Sequence, residues 1–596
     1  MQFKQSLQPF RELFKISLVM FFLFQGTANG QTTYLPQDAR ENVLIERLQI
    51  KNRTNPVLNF STAKPYSRQH IVPVVENEFF PFLKNLSSSP PQYIPYQQDT
   101  VMVNRDTALL AYYKKSGYSR IDYHNARQLL MNSSEWASGS FTSRKKFLNH
   151  FYKTPSHFYE VNTKDFFLSV NPVFQYYVGK EQDNDQHIFL NTRGISLRGR
   201  IANKIGFAAY MTDNQERTPL YVQRFVTDRK AVPGAGFYKD FKQTAYDYFD
   251  ARGYISFNAA RYIDIQFGYD KNFLGNGHRS LFLSDFSAPT LFLKLNTRIW
   301  KFNYQNLFME LNSANRLNAD QLLPKKYAAM HHLDLAVTKW LNIGLFEGVV
   351  FGRTNHFEFG YLNPVIFYRS VEQQSGSFDN SVLGLDAKAN IAGSFQLYGQ
   401  FMLDEFNLKE LRRASGWWAN KIGYQLGAKY IDAFGISNLD LQAEVNRVRP
   451  FTYSHRDSVA NYTHYNQPLA HPLGANFHEM MAIARYQPAP KWFLEAKAIY
   501  YMQGRDTGNV NHGSNIFLPN VFPYRNRDFG YNLGDPVSSK TAFASLLVSY
   551  ELKPNFFIEA TAVVRRENET ILGPARNTTV MYAGVRWNMH RRTFDF

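Results

Sequence analysis

The sequence predicts an all-β protein, a transmembrane antiparallel β-barrel of about 18 strands behind a small helical or irregular segment. Three observations predict it. From Asp165 onward, apolar and polar residues alternate with a period of two in one segment after another, giving strands with two unlike faces. The connections between these segments are short and long by turns. A secretory leader stands in front of them. The mean hydropathy of −0.40 fits this reading, because only alternate residues of a barrel strand meet lipid.

The leader comes first. Lys4, Arg11 and Lys15 precede the apolar run 16–24, and Ala28-Asn29-Gly30 then places small residues where a signal peptidase reads. The run is too short to span a bilayer, so residues 1–30 are expected to be a cleavable signal. The chain has no Cys, which excludes lipidation at a lipobox and any disulfide framework.

Residues 31–163 lack the alternation and are expected to form a periplasmic helical or plug region. Their first part is irregular and punctuated by Pro, as in Ser87-Ser-Ser-Pro-Pro-Gln92. Three short helices are expected after it. One is capped by Asp106, runs through Leu109 and Tyr112 and ends at Gly117; one covers Asp122 to Met131; one starts near Thr142 and carries Phe147, Leu148 and Phe151.

Residues 164–596 supply the strands. Leu168, Val170, Phe174, Tyr176 and Val178 share one face, and Ser169, Asn171, Gln175 and Tyr177 the other. Leu439, Leu441, Ala443 and Val445 oppose Asp440, Gln442, Glu444 and Asn446. In the last strand Met581, Ala583, Val585 and Trp587 are expected to face lipid, and Tyr582, Gly584, Arg586 and Asn588 the lumen. Short turns fall at 202–204, 259–261, 339–341, 392–393, 488–490 and 553–555; long segments fall at 214–245, 270–289, 353–381, 450–475 and 504–540. Short turns face the periplasm in such barrels and long loops face outward. Trp300, Trp340 and Trp492 lie at short turns, where an inner aromatic girdle belongs. Lys294, Arg298, Asp440, Glu444, Glu495, Lys497, Glu559, Arg565 and Arg586 are expected to point inward. Inter-strand ion pairing is the expected role for most of them.

The formal net charge of +18 favours anionic partners. For an exported, lipid-embedded chain these are outer-membrane lipid, lipopolysaccharide phosphate and acidic surface polysaccharide, and not nucleic acid. His331, His332 and Asp334 do not make a metal site: alternation sets the two histidines on opposite faces, and two ligands are too few. No Gly-x-Ser-x-Gly or His-Glu-x-x-His segment occurs, so catalysis is not expected, and no cofactor is implied. In the long loops, Trp417 and Trp418 follow Arg412 and Arg413. Indole faces stack on sugar C–H groups and guanidinium forks pair with uronate carboxylates, which makes these four residues candidates for glycan contact. An outer aromatic belt is the competing role for the tryptophans.

The stretch from Phe267 to Pro289 leaves a strand, turns through Gly275-Asn276-Gly277, and returns through Leu281 to Ser284. The two glycines are expected to supply positive φ for a fold-back, and His278 and Arg279 to contact acidic glycan. This stretch resembles the strand-loop-strand signature of the Wzi-type capsule-assembly barrels. It is closer to their RemB-like relatives, which are associated with gliding motility in Bacteroidetes-type bacteria. Ala63-Lys-Pro-Tyr-Ser-Arg68, Phe302-Asn-Tyr-Gln-Asn306 and Tyr361-Leu-Asn-Pro-Val-Ile-Phe-Tyr-Arg369 carry the same resemblance. It implies an eighteen-stranded outer-membrane barrel with helices on the periplasmic side and a lectin-like role in anchoring surface polysaccharide. The RemB-like branch implies instead a motility or adhesion component acting through periplasmic or motility proteins. A passive porin is the third function class.

Overall fold

The computed structural model describes residues 33–80, 117–139, 141, 143, 150–313 and 323–596, except 38, 54–55, 203, 354–355, 377, 509 and 570–573. The expected signal, the helix after Asp106 and most of the one after Thr142 lie outside these residues. Phe151 of that last stretch is extended, bridged to Tyr159 and stacked on Phe158.

Eighteen long strands close into an antiparallel barrel. The first, Phe166–Glu181, meets the last, Arg576–Trp587, in register from Phe174↔Trp587 to Glu181↔Val580. The alternation sets the faces as expected. Met581 is 65 % exposed on the outer wall, while Glu559 is 3 % exposed and turned inward. The nine named charged residues lie on the inner side, and Trp300, Trp340 and Trp492 stand exposed at the short-turn end.

Among the described residues three helices sit at that end: α1 (Glu41–Asn52), α2 (Arg68–Phe79) and α3 (Arg120–Met131). Leu44, Leu48, Val72, Val75, Phe79, Leu129 and Leu130 form their shared core. α3 starts two residues before Asp122 because Ser119 caps it. The Ser119 hydroxyl accepts from the Asp122 N–H and the Asp122 carboxylate accepts from the Ser119 N–H, each at 3.0 Å. The first two helices were not expected. α1 buries Asn42, Arg47 and Gln49 beside its leucines, so its sequence shows no clean apolar stripe.

The long-loop end departs from a uniformly polar lumen. Leu281, Phe282 and Leu283 of one loop, and Tyr453, Tyr462 and Leu469 of another, fold inward. They pack on the inward Leu307, Met309, Met330, Phe346 and Val350 of the wall. Phe282 stacks on Phe346 with ring centres 4.5 Å apart. The barrel thus has an apolar core in its long-loop half and a mainly charged interior in its short-turn half.

A third loop goes the other way. Residues 357–374 lie against the outer wall, where Tyr361, Tyr368 and Val371 cover Phe308, Tyr327, Val349 and Phe351. Beneath them Asn306, His331 and Glu347 stand side by side on three adjacent strands. The Glu347 carboxylate accepts from the Tyr368 and Arg369 N–H groups at 2.9 and 3.0 Å, and the His331 ring lies 3.8 Å from that of Tyr368.

Candidate functional site: the lumen and its external cap

The helical layer is fastened to the short turns by buried charge. Arg47 reaches Asp122 of α3 at 3.1 Å, Asp432 of a short turn at 2.7 Å, and Asp440. Lys51 adds Asp432 at 2.8 Å. Burial pushes the Asp432 carboxyl up, but Arg47 and Lys51 outweigh it and hold the group down at about 2. Glu46 follows the same logic: burial raises it, and Lys429 at 3.0 Å with Lys64 at 3.5 Å brings it down to about 2. Asn125 bonds Gln487, and Asn132 bonds Asn555, at two further short turns.

From this layer residues 61–66 enter the barrel and meet the loop after Phe267. Ala63–Lys64 pair antiparallel with Phe273–Leu274, and the Gly275 N–H donates to the Thr62 carbonyl at 2.9 Å. Two stretches more than two hundred positions apart in sequence are therefore one small sheet inside the lumen. Neither Gly275 nor Gly277 has positive φ, contrary to expectation. Their requirement is close approach: a Cβ on Gly277 would collide with the Glu444 carboxylate and lie 2.9 Å from the Arg279 carbonyl. Glu444 accepts from the N–H groups of His278 and Arg279 at 2.8 and 3.1 Å, and so holds this turn to the wall.

His278 and Arg279 are consequently inside the barrel and not on the exterior. Their side chains meet Asp595, because residues 588–596 turn back into the lumen after the last strand. Among the other inward charges, Glu559 holds Arg586 at 2.8 Å and Arg591 at 2.7 Å, and Arg485 pairs with Glu495 at 3.0 Å. The expected ion-pair role is what these contacts show. His332 bonds Asp386 at 2.7 Å on the inner face while His331 faces out; no metal-holding group occurs among the described residues.

Trp417 and Trp418 lie in the cap of long loops, in edge contact at 6.2 Å. The Arg525 guanidinium sits 4.3 Å from the centre of the Trp418 ring and 4.5 Å from that of Phe522, between the two. Phe451 touches the Trp418 edge, and the Trp418 N–H donates to the Asp528 carbonyl. Trp418 therefore packs within the loop cap, and Trp417 and Trp418 are both half-buried. Arg412 and Arg413 are exposed on the short helix Leu408–Arg412 and its end, with Arg413 3.4 Å from Glu410. Sequence reading missed Arg525 and Phe522. Their signal was the run Phe522-Pro-Tyr-Arg-Asn-Arg-Asp528, which interleaves aromatic and basic residues in a long loop.

The family model for the capsule assembly protein Wzi matches residues 183–567. The chain belongs to the Wzi capsule-assembly family. Wzi of Escherichia coli, described as a carbohydrate-binding β-barrel involved in group 1 capsule assembly, is a structural neighbour. It is 11 % identical, with a TM-score of 0.53 over 93 % of this chain and 99 % of that one. Two Pseudomonas aeruginosa barrels also superpose over 70 % of this chain. OprD is 11 % identical with 94 % of its length covered and a TM-score of 0.39; OccK8 is 9 % identical with 98 % covered and a TM-score of 0.40. No curated protein matches in sequence. As a Wzi-family barrel the chain resides in the outer membrane. Of the stretches quoted above for the Wzi resemblance, 63–68 and 267–289 build the internal sheet, 361–369 lies in the outer-wall loop, and 302–306 starts a wall strand.

Proposed function

We propose that this barrel binds acidic surface polysaccharide at its external cap and anchors it to the cell, without catalysis. The observation that carries this reading is the cluster of Trp417, Trp418, Phe522 and Arg525, flanked by exposed Arg412 and Arg413. A half-buried indole offers a flat apolar face for a sugar ring, and the exposed Arg412 and Arg413 offer guanidinium forks for uronate, while Arg525, buried and paired with Asp528, holds the Trp418 ring in place. Membership of a capsule-assembly family and the carbohydrate-binding fold neighbour support it. On this reading the long loops face outward and the helical layer faces the periplasm.

Trp417→Ala combined with Trp418→Ala is expected to raise released relative to cell-bound polysaccharide several-fold while synthesis stays intact. Aromatic stacking contacts are worth about 0.5–1.5 kcal/mol each beyond the area they bury. The measurement is polysaccharide in cell and supernatant fractions, with barrel assembly checked by heat-modifiable gel mobility. Unchanged retention in an assembled barrel removes the patch. Unchanged retention in a full deletion, together with lost colony spreading, replaces the polysaccharide reading by the motility role that the RemB-like stretches imply.

The helical layer at one end of the lumen and the inward loops at the other argue against a porin. Purified protein in planar bilayers is expected to conduct far less than an open barrel of this strand number. Steady open-channel conductance would contradict the packing of the helical layer and the inward loops.

A further inference from the structure

The inner half of the barrel holds a carboxylate site that its own chain fills. Residues 588–596 turn at Asn588, where φ is 50°, and run along the lumen. Arg591 meets Glu559, Arg592 meets Glu216 at 3.1 Å, and the Phe594 carbonyl accepts from the Tyr221 hydroxyl. Asp595 then enters a cluster of two cations and a histidine. Arg279 grips it as a fork, with Nη1 on the carboxylate at 2.9 Å and Nη2 on the Asp595 carbonyl at 2.6 Å. His278 Nε2 lies 2.9 Å from the second carboxylate oxygen, which Lys497 also contacts.

Arg279 also reaches Glu479 of the wall at 3.4 Å. The loop carrying His278 and Arg279 is anchored besides by Glu444, through the backbone of residues 278 and 279, and by Thr62 through Gly275. The cluster lies on a cavity of about 590 Å³ that extends from Asn125 and Asn555 at the short-turn end to Gly277 and Phe286 under the external loops. That volume suits a small ligand. Thirteen Lys and Arg line it against eight Asp and Glu. Leaving out Arg591, Arg592 and Asp595, the wall itself presents eleven cations against seven anions. A cavity of this polarity favours an anion in its low-dielectric interior.

We propose that His278, Arg279 and Lys497 form an internal binding site for the carboxylate of a uronic acid, which Asp595 occupies in cis and which such a sugar takes by displacing residues 588–596. The inference rests on the acidic-polysaccharide reading above, but concerns the lumen and not the external cap. Because Asp595 is tethered, it competes at an effective concentration in the millimolar range or above, so the resting protein binds free uronate weakly.

The test titrates the purified full-length barrel in detergent with D-glucuronate, with glucose and acetate as controls, by calorimetry. Asp595→Asn is expected to bind glucuronate at least ~10-fold more tightly than the unaltered chain, and glucose not at all. Adding Arg279→Gln to that variant is expected to abolish the gain. A chain ending at residue 588 is expected to match Asp595→Asn; if it does not assemble, the point variant decides. No gain in the point variant, or acetate binding as tight as glucuronate, overturns the proposal. Polysaccharide retention is read separately on the Trp417/Trp418 variant. A failed titration with that effect intact refutes only the internal site, whereas loss of the retention effect refutes the external reading.

Discussion

Replacing Glu559 by alanine is expected to destabilise the barrel by about 3–5 kcal/mol, the cost of leaving a buried charge without its partner. Glu559 accepts from Arg586 Nη2 and Nε at 2.8 and 3.0 Å, from Arg591 at 2.7 Å, and from the Ser549 hydroxyl at 2.8 Å. The Tyr177 hydroxyl donates to it as well. Tyr177 belongs to the first barrel strand and Arg586 to the last, so this one carboxylate ties the seam where the sheet closes on itself. The alanine variant leaves two guanidinium groups facing each other in the lumen. Glu559→Gln keeps the volume and part of the hydrogen bonding, and is expected to cost less. The readout is the urea concentration or temperature at which the compact band on a semi-native gel is lost. An unchanged midpoint in Glu559→Ala would mean that the seam is held by backbone pairing alone.

The second large effect belongs to Arg47. It contacts three carboxylates on three separate elements, Asp122, Asp432 and Asp440, and its side chain is 4 % exposed. Arg47→Ala is expected to release the helical layer from the short-turn end, again at about 3–5 kcal/mol. Limited proteolysis should then cut between α1 and α3 while the barrel stays resistant. The same contacts set a pH dependence. Asp432 is held at about 2, and Asp122 is also below its ordinary value: burial raises it, and Arg47 and Lys51 more than reverse that. A carboxyl whose folded-state pKa is depressed stabilises fully above its unfolded value near about 4 and loses that contribution as pH falls through the folded value. Docking of the layer is therefore expected to hold steady from neutral pH down to roughly 5 and to weaken between about 4 and 2. In Arg47→Ala that acid-dependent step should shrink, measured as protease sensitivity against pH.

The barrel was legible in the sequence because lipid on one side and water on the other force a period of two. Strand number, short turns and the inward set from Lys294 to Arg586 follow from that rule and from no other information. What escaped was everything that departs from the two-phase pattern. Leu281, Phe282 and Tyr453 carry apolar surface, yet they go to the lumen, because the long-loop half of the barrel has an apolar interior of its own. α1 stayed hidden because its inward face carries Arg47 and Gln49, whose partners lie on distant strands or across a loop. His278 and Arg279, expected to contact glycan from a loop, lie inside the barrel. Their position depends on Glu444 and Asp595, each more than 160 residues away. Sequence neighbours show none of that. The tryptophan pair was legible as a pair, but Arg525, which covers Trp418, comes from another loop.

The loop on the outer wall bears on biogenesis. Asn306, His331 and Glu347 occupy the side of their strands that lipid would otherwise wet, and Glu347 lies midway along the strand Leu341–Phe351. A bare wall bearing these groups would lose a few kcal/mol on meeting hydrocarbon, and nothing in the acyl phase could bond to them. Docking of the segment carrying Tyr361 and Tyr368 before this sector of the sheet enters the membrane would remove that cost. Insertion is then expected to differ from a zippering of naked hairpins. At this sector the unit that enters is a wall with its cover in place, and a loop variant that docks slowly would stall the nascent protein at the membrane surface with its other strands ready to close.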